Sequence, residues 1–536
     1  MVKIINLNFN WRFILELFGL SLICLTPAIY RDVGVDGLFA NFCVSILYAF
    51  PVLGILTCIK NKYLFYTVTF VFMIMSFIET MMVLLYGNYL TSGNLLAIIG
   101  TNQDEGMGFV KGTISELPFA LPVLIGWFIA IKVRGSVVHF CSRIVFFLVF
   151  CVIVFAVLIF QIKYKWNNNI TTKFYVEQNV LGRPPYNFLF QTYNAISLIK
   201  QREYIKESAQ MTFNAVRPVY DESEIYVLAI GESLRYDNLS IIGYNRSTTP
   251  LLESMENVVL YDNYYSTANL TMYSVPQILT RATPNDFVLN YKEKSIYKPF
   301  QECGFKTYVI CAGNLLNQEK YLSEGCDSLI CLSANDDDKI AYVIDSLALN
   351  NKKLFCIVQF AGNHGPYKNF KKEHDKYHPN PVSDNVGWDN HEAMINAYDN
   401  TVLFTDYNIY NIINTINKPN VLSTFLMVPD HGADYDTGVS DHGGNCNPRK
   451  AEYHVPLIFW YSKGWEEKHM VKKDVFISHR NLPVNADNIF YSVCDMADIT
   501  IEKKYSKPEW SLFSSKFELH KRYLLVPDGK NTIEVK

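Results

Sequence analysis

Three short polar motifs follow apolar, β-rich runs in the second half of this 536-residue chain. They are Gly231-Glu232-Ser233, the run 362–366 around His364, and Asp430-His431-Gly432. In an open α/β sheet ligands bind beyond the carboxyl ends of the strands, so we expect these side chains to converge. Carboxylates and an imidazole form a ligand set suited to Zn²⁺, with a position left for a hydroxyl or a substrate oxygen. Each motif alone is typical of a helix cap or a turn, but together they predict a zinc site.

A reaction at such a site needs a nucleophile, and the segment 266–276 offers several hydroxyl groups. Composition alone does not choose between Thr267, Thr271 and Ser274. Zinc lowers the pKa of a coordinated hydroxyl, and the resulting alkoxide can attack a phosphodiester phosphorus. His442 is a further candidate for this site, because its glycine-containing loop does not suit a buried core histidine.

The motifs need a sheet to bring them together, and the second half of the chain has the pattern of one. Short β-rich runs alternate with helical patterns, which is typical of an α/β domain with a mostly parallel central sheet. The predicted strands are 225–230, 258–261, 306–310, 354–360, 424–428 and 455–461. This arrangement would place the three polar motifs at one edge of the sheet.

The first part of the chain has the composition of a membrane domain. Half of the whole sequence is hydrophobic and only 18% is charged, which is unusual for a purely soluble enzyme. Apolar runs long enough to cross a bilayer predict a five-helix transmembrane bundle: 13–30, 38–59, 63–86, 117–133 and 137–162. Lys and Arg concentrate in the connections on one side, which predicts a cytoplasmic N-terminus. In a bacterium the remainder would then lie in the periplasm, anchored to the inner membrane.

These patterns predict three regions: a transmembrane domain over 1–162, an amphipathic bridging segment over 163–217, and a periplasmic catalytic domain over 218–536. The net charge of −3 supplies no polycationic surface, so we expect no nucleic-acid partner.

Two smaller features of the predicted catalytic domain have their own interpretations. The acidic run 336–338 is predicted to be solvated surface, as most charge runs are. Cys326 and Cys331 lie close together in a polar stretch, and in an oxidising compartment we predict a disulfide between them.

Further motifs accompany the first three in a fixed order between residues 225 and 465. The set comprises Gly231-Glu232-Ser233-Leu234-Arg235-Tyr236-Asp237-Asn238, Gly243-Tyr244, Thr249-Pro250, Thr271-Met272-Tyr273-Ser274-Val275-Pro276, Asn363-His364-Gly365-Pro366, Asn396-Ala397-Tyr398-Asp399-Asn400-Thr401, Thr405-Asp406, Asp430-His431-Gly432 and His442-Gly443. In this order they resemble the phosphoethanolamine transferases of Gram-negative envelopes, which belong to the alkaline phosphatase and sulfatase-like superfamily. Five preceding membrane helices fit the architecture of that family, so the resemblance implies a sulfatase-like catalytic domain.

The resemblance implies roles for particular residues. Glu232, Thr271, Asp430 and His431 would bind the catalytic zinc, and Thr271 would also be the nucleophile. Where members that modify lipid A commonly place two cysteines around the nucleophile, this chain has Thr267 and Gln277. The disulfide that those cysteines would form is therefore absent.

Substrate contacts are implied by the same resemblance. His364 and His442 would hold the phosphoryl group or a second zinc ion. In the loop after the third predicted membrane helix, Asn102 and Glu105 resemble the lipid-headgroup contacts of the family.

The implied activity is transfer of phosphoethanolamine from phosphatidylethanolamine to lipopolysaccharide, at lipid A or a core sugar, or to another envelope acceptor, through a phospho-threonine. A phosphoglycerol transferase of the lipoteichoic-acid synthase type is the main alternative, because the sequence does not reveal the headgroup. A non-catalytic membrane scaffold is a second alternative, although the chain keeps all four zinc ligands. A sulfatase would need Arg two residues after Pro276, where this chain has Ile278.

Overall fold

The computed structural model describes residues 11–35, 39–86, 89–100, 114–134, 147–148, 151–152, 180–201, 204, 210–312, 320–333, 336–365, 367–380, 391–435 and 448–535. These residues divide into two compact units, one within Met1–Leu95 and Phe109–Ile196, the other within Leu96–Gly108 and Ser197–Lys536. The helices described before the first strand include α1 (Trp11–Ala28), α2 (Phe39–Cys58), α3 (Lys62–Tyr86), α4 (Ser92–Gly100), α5 (Leu121–Val133) and α6 (Asn187–Gln201).

Three helical segments of the first unit, among the residues described, are long and apolar enough to cross a membrane: Trp11–Val33, Lys62–Leu85 and Glu116–Val133. A shorter apolar helix covers Phe42–Cys58. The fifth predicted run, 137–162, lies almost entirely outside the described residues, so the count of five stays a prediction. Glu16, inside the first segment, forms an ion pair with Arg134 directly after α5. This partner compensates the charge that the apolar helix carries.

A seven-stranded sheet forms the centre of the second unit. Its strands in spatial order are β2 (Val258–Tyr261), β8 (Leu457–Tyr461), β7 (Val421–Pro429), β1 (Ser223–Gly231), β6 (Lys353–Gln359), β4 (Lys306–Ala312) and β5 (Ser328–Leu332). The five strands from β7 to β5 are parallel, and β8 runs antiparallel to both of its neighbours. The predicted α/β fold with a mostly parallel central sheet is confirmed. Strand β5 was not among the predicted strands.

Helices and two small sheets surround this central sheet. The helices are α7 (Pro250–Glu253), α8 (Thr271–Leu279), α9 (Leu289–Lys292), α10 (Tyr297–Glu302), α11 (Ile340–Asn350), α12 (His391–Ile416), α13 (Lys450–Tyr453), α14 (Lys463–Lys468), α15 (Met470–Ser478) and α16 (Ile489–Met496). The small sheets pair β3 (Tyr264–Tyr265) with β9 (Val484–Asn485) and β10 (Arg522–Leu525) with β11 (Thr532–Val535).

The alternating burial of its side chains sets the register of strand β1. Its side chains alternate between two hydrophobic cores, one on each face of the sheet. One core receives Tyr226, Leu228 and Ile230, and the other receives Ile225, Val227 and Ala229. A shift of one residue would reverse both sets, so the burial of β1 fixes the position of Glu232, which follows it.

The structure does not contain the predicted disulfide between Cys326 and Cys331, and the strand register places a different cysteine beside Cys331. The segment 328–332 forms the strand β5 rather than a polar loop. Cys331 therefore lies in register with Cys311 of the neighbouring strand β4, while Cys326 packs against the hydrophobic core.

Candidate metal centre and active site

The first and third polar motifs meet because their strands are neighbours. Strands β1 and β7 pair in parallel, and Gly231 lies opposite Pro429. Glu232 and Asp430 follow these two residues, and the Asp430 N–H donates to the Gly231 carbonyl at 2.9 Å. Both carboxylates are buried, and so is the adjacent His431. The structure thus brings together three of the predicted zinc ligands at the carboxyl edge of the sheet.

The spacing of these ligand atoms fits one metal ion. Atoms of Glu232, Asp430 and His431 all lie within 4.8 Å of one another. His431 Nε2 is 3.3 Å from Asp430 Oδ2 and 3.7 Å from Glu232 Oε1. Ligands bound tetrahedrally at about 2.0–2.2 Å from zinc are roughly 3.3–3.6 Å apart. The two measured distances are close to that range.

Hydrogen bonds orient two of these side chains toward a metal. The His431 Nδ1–H donates to the Gly432 carbonyl at 2.8 Å, which directs the lone pair of Nε2 toward the cluster. Asp430 Oδ1 accepts the N–H groups of Ser233 and His431 at 3.1 and 2.8 Å. Asp430 Oδ2 is buried and has no hydrogen-bond partner within the part of the chain that the structure describes. A buried carboxylate oxygen in that state suits a cation, so the residues present fit zinc.

Thr271 is the first residue of helix α8, and its side chain lies next to His431. Its Oγ1 lies 3.2 Å from His431 Nε2. Among the described residues, the Ser274 hydroxyl donates to the Leu270 carbonyl at 3.1 Å and Thr267 Oγ1 makes no hydrogen bond, so neither hydroxyl is hydrogen-bonded to His431. The structure therefore favours Thr271 over both neighbours as the nucleophile.

The loop after β6 approaches Glu232 very closely. Gly362 has a φ of +48°, and a Cβ there would lie 3.0 Å from the Glu232 carbonyl oxygen. The Asn363 N–H donates to that same carbonyl at 3.0 Å. Only glycine meets both requirements at position 362 without strain.

Asp337 anchors this loop from the side of α11. Its carboxylate accepts the N–H groups of Ala361 and Gly362, each at 3.0 Å, and the side-chain amide of Asn369 at 2.7 Å. Burial raises the pKa of Asp337 to about 6, although these hydrogen bonds act in the opposite direction. The interpretation of 336–338 as solvated surface is wrong for this residue, which is 2% exposed. No local sequence signal distinguishes Asp337 from its two neighbours.

The remaining predicted substrate contacts have different outcomes. His364 is exposed, and its Nδ1 hydrogen-bonds with the Gly365 carbonyl at 2.7 Å. It is not part of the metal cluster found among the described residues. His442, Asn102 and Glu105 lie outside the described residues, so their roles stay predictions.

The motif 396–406 lies in helix α12, and its side chains hydrogen-bond with residues next to Glu232 and in the loop after β6. The Tyr398 hydroxyl donates to the Ser233 carbonyl at 2.7 Å, and the Asn363 amide donates to Thr401 Oγ1 at 2.7 Å. Asp406 accepts two backbone N–H groups at the start of α7. Burial raises the pKa of Asp406 to about 7. This motif therefore helps to hold the backbone after Glu232 and the loop after β6 in place.

The segment that carries Thr271 is held by hydrogen bonds and packing, and the two cysteines expected from the family resemblance are absent from it. The Leu525 N–H donates to the Thr267 carbonyl at 2.8 Å, and the Asn269 amide donates to Glu452 at 2.7 Å. Tyr273 packs in a small apolar cluster with Leu525. Gln277 occupies the second of the two positions where lipid A-modifying members commonly have cysteine, and its side-chain amide donates to the Tyr273 carbonyl at 2.9 Å.

The mostly parallel sheet, with a buried cluster of carboxylates and an imidazole at its carboxyl edge, defines an α/β domain that carries a candidate metal site. The sulfatase family model matches residues 224–499, just over half of the 536 residues. The chain therefore belongs to the sulfatase family. Phosphoethanolamine transferase EptA of Helicobacter pylori is 29% identical over 280 residues, which cover 50% of this chain and 52% of that protein. The predicted resemblance to phosphoethanolamine transferases is thus confirmed.

Solved structures share the fold. The integral membrane protein lipooligosaccharide phosphoethanolamine transferase A (EptA) from Neisseria meningitidis is 18% identical, with 94% of this chain and 97% of that one covered and a TM-score of 0.71. The C-terminal periplasmic domain of EcEptC from Escherichia coli, in complex with Zn, is 24% identical, with 60% and 95% covered and a TM-score of 0.52. The chain spans about half the length of the curated relatives it matches.

Proposed function

We propose that this chain is a zinc-dependent, membrane-anchored transferase that moves phosphoethanolamine from phosphatidylethanolamine to an acceptor in the bacterial envelope. The observation that carries the proposal is the 3.2 Å distance between Thr271 Oγ1 and His431 Nε2, beside the buried carboxylates of Glu232 and Asp430. A hydroxyl next to a metal-ligand set is the arrangement that nucleophilic catalysis needs. The name of the Helicobacter pylori relative supports phosphoethanolamine as the transferred group.

Glu232, Asp430 and His431 would hold the zinc ion, with Thr271 as the fourth ligand. The oxygen and nitrogen donors, their spacing, and an Asp430 Oδ2 that has no hydrogen-bond partner among the described residues support this assignment. When bound, zinc lowers the pKa of a coordinated hydroxyl and neutralises charge on phosphoryl oxygens. The zinc complex of the Escherichia coli domain, which shares the fold, supports the choice of metal.

The reaction would proceed in two displacements at Thr271. In the first, Oγ1 forms a bond to the phosphorus of the donor lipid, the bond from phosphorus to the diacylglycerol oxygen breaks, and that oxygen receives the proton that Thr271 loses. In the second, an oxygen of an acceptor hydroxyl or phosphate forms a bond to the phosphorus of the phospho-threonine, the bond from phosphorus to Oγ1 breaks, and Oγ1 receives a proton from the acceptor group or, where that group is already ionised, from water. The first turn of α8 presents N–H groups that favour negative charge on the phosphoryl oxygens.

A membrane anchor suits this reaction because the donor and one product are lipids. The apolar helices and the solved relatives fit an inner-membrane protein with a periplasmic catalytic domain. We propose lipopolysaccharide as the acceptor, at a lipid A phosphate or a core sugar. His364 and His442 would bind the phosphoryl group, and Asn102 and Glu105 would contact the lipid headgroup.

Labelling of the protein tests the proposed intermediate. The zinc-loaded full chain is incubated with vesicles of headgroup-labelled phosphatidylethanolamine, and the modified peptide is located by mass spectrometry. We expect label on Thr271 in the wild type, no label in Thr271→Ala, and retained label in the matched control Ser274→Ala. Label that persists in Thr271→Ala would refute the assignment. Labelled phosphatidylglycerol in a parallel reaction distinguishes the phosphoglycerol transferase.

A further inference from the structure

Two cysteine side chains meet on the central sheet, away from the metal centre. Strands β4 and β5 pair in parallel, with Cys311 directly opposite Cys331. Their Sγ atoms are 3.4 Å apart. Neighbouring strands are about 4.8 Å apart, and a disulfide needs a Cα separation of roughly 4.4–6.8 Å. A small rotation of the two side chains would bring the sulfur atoms to bonding distance.

The two thiols differ in exposure in a way that suits stepwise oxidation. Cys331 is exposed on the edge strand β5, whereas Cys311 is 1% exposed. Burial and the neighbouring thiol raise the pKa of Cys311 to about 12. Cys331 is therefore the sulfur that an external reagent reaches first, and Cys311 is placed to react with it afterwards.

We infer that Cys311 and Cys331 form a disulfide that fastens the edge strand β5 to the central sheet. The oxidant is a disulfide of a small thiol or of a dithiol oxidoreductase, the class of compound that an oxidising compartment supplies. The Cys331 thiolate attacks one sulfur of that disulfide, forms a mixed disulfide and releases the first thiol. The Cys311 thiolate then attacks Cys331 Sγ, the bond between Cys331 and the oxidant breaks, and the second thiol leaves. Two protein thiols thus become one disulfide, and the oxidant is reduced to two thiols.

The position of β5 explains what the bond would do. The strand is five residues long and incompletely buried, and among the described residues only β4 pairs with it. A covalent link to the buried strand β4 would hold an edge that hydrogen bonds on one side hold weakly. Two strands, β4 and β6, separate β5 from β1 and the metal ligands. We therefore expect the bond to protect β5 and to leave catalysis almost unchanged. The inference does not depend on the proposed transferase activity.

Peptide mapping of the full chain tests this inference directly. The protein in detergent is equilibrated with oxidised glutathione, denatured in acid and digested without reduction, and the peptides are then identified by mass spectrometry. We expect the peptides of Cys311 and Cys331 joined, with a mass lower than their sum by two hydrogen atoms. Cys326→Ser should retain this product and Cys331→Ser should lose it. Free thiols at both positions after oxidation, or Cys331 joined to another cysteine, would overturn the inference.

Hydrogen exchange gives a second measurement that does not need a variant. Amides of β5 should exchange more slowly in the oxidised wild type than after reduction, and the same difference should appear in Cys326→Ser. Equal exchange of β5 in both redox states would show that no bond fastens the strand.

Discussion

Replacement of Asp337 by Asn would test how the loop beside the metal ligands is held. The carboxylate accepts two backbone N–H groups and one side-chain amide. Asparagine keeps the size of the side chain but has a single acceptor oxygen. It would leave one of the N–H groups of Ala361 and Gly362 without a partner, facing an amide donor.

Two opposing terms set the size of the effect. An unpaired buried N–H costs about 1–3 kcal/mol. Burial raises the Asp337 pKa from 3.8 to about 6, and this difference of about 2 pKa units corresponds to roughly 3 kcal/mol of unfavourable charge burial at neutral pH, which Asn removes. The terms offset, so we expect the free energy of unfolding to change by less than about 2 kcal/mol. Removal of the buried charge offsets the cost for the whole fold, but it does not restore the hydrogen bond that the loop loses.

Hydrogen exchange at single-residue resolution can separate the local from the global effect. We expect the amide of Ala361 or Gly362 to exchange about 5- to 100-fold faster in Asp337→Asn, since a loss of about 1–3 kcal/mol corresponds to that range at about 1.4 kcal/mol per factor of ten. The proposed transferase activity should fall as well, because the loop carries the N–H of Asn363 that binds the Glu232 carbonyl.

Asp338→Asn provides the matched control. This neighbour is partly exposed and lies 3.4 Å from Lys371, a pair of the kind that contributes about 0–1 kcal/mol. It should leave exchange in the loop unchanged. Unchanged exchange in Asp337→Asn, or an equal change in both variants, would refute the reasoning.

Three further predictions concern the metal, the pH and the backbone. Removal of zinc by a chelator should speed hydrogen exchange across 266–277, whereas mild reductant should leave activity nearly unchanged; unchanged exchange would count against the zinc site. Because burial raises the Asp406 pKa to about 7, the folded chain binds more protons there than the unfolded chain between about pH 4 and 7. Asp406 therefore makes the free energy of unfolding fall as pH rises. In urea unfolding, Asp406→Asn should reduce this dependence on pH by up to about 1.4 kcal/mol per pH unit, and an unchanged dependence would contradict the prediction. Gly362→Ala should reduce activity strongly, because its Cβ would press on Glu232; full activity would show that the loop can move.

The convergence of Glu232 and Asp430 could be anticipated from the sequence for a simple reason. Both residues end buried apolar runs, and the carboxyl ends of neighbouring parallel strands meet at one edge of a sheet. The mostly parallel α/β fold followed from the same alternation of runs. These features depend on local patterns, which a sequence displays directly.

Features that depend on register between distant segments could not be anticipated in this way. Asp337 looks like its acidic neighbours in the sequence, and only the packing of α11 beside β6 places it under the loop. Cys331 was paired with Cys326 because the two are close in the chain. The register of β5 instead aligns Cys331 with Cys311, 20 positions away.

The contacts between the segment around Thr271 and the hairpin of β10 and β11 bear on the order of folding. The Arg522 guanidinium donates to Asn263, 259 positions earlier in the chain, and the Leu525 N–H reaches Thr267. At about 5–20 residues per second, roughly 10–50 s of synthesis separate the two partners. The segment that carries Thr271 therefore emerges well before Arg522 and Leu525, and these hydrogen bonds form only after nearly all of the second unit has been made. A chain truncated before residue 522 would contain Glu232, Asp430 and His431 and still lack these contacts to the segment that carries Thr271.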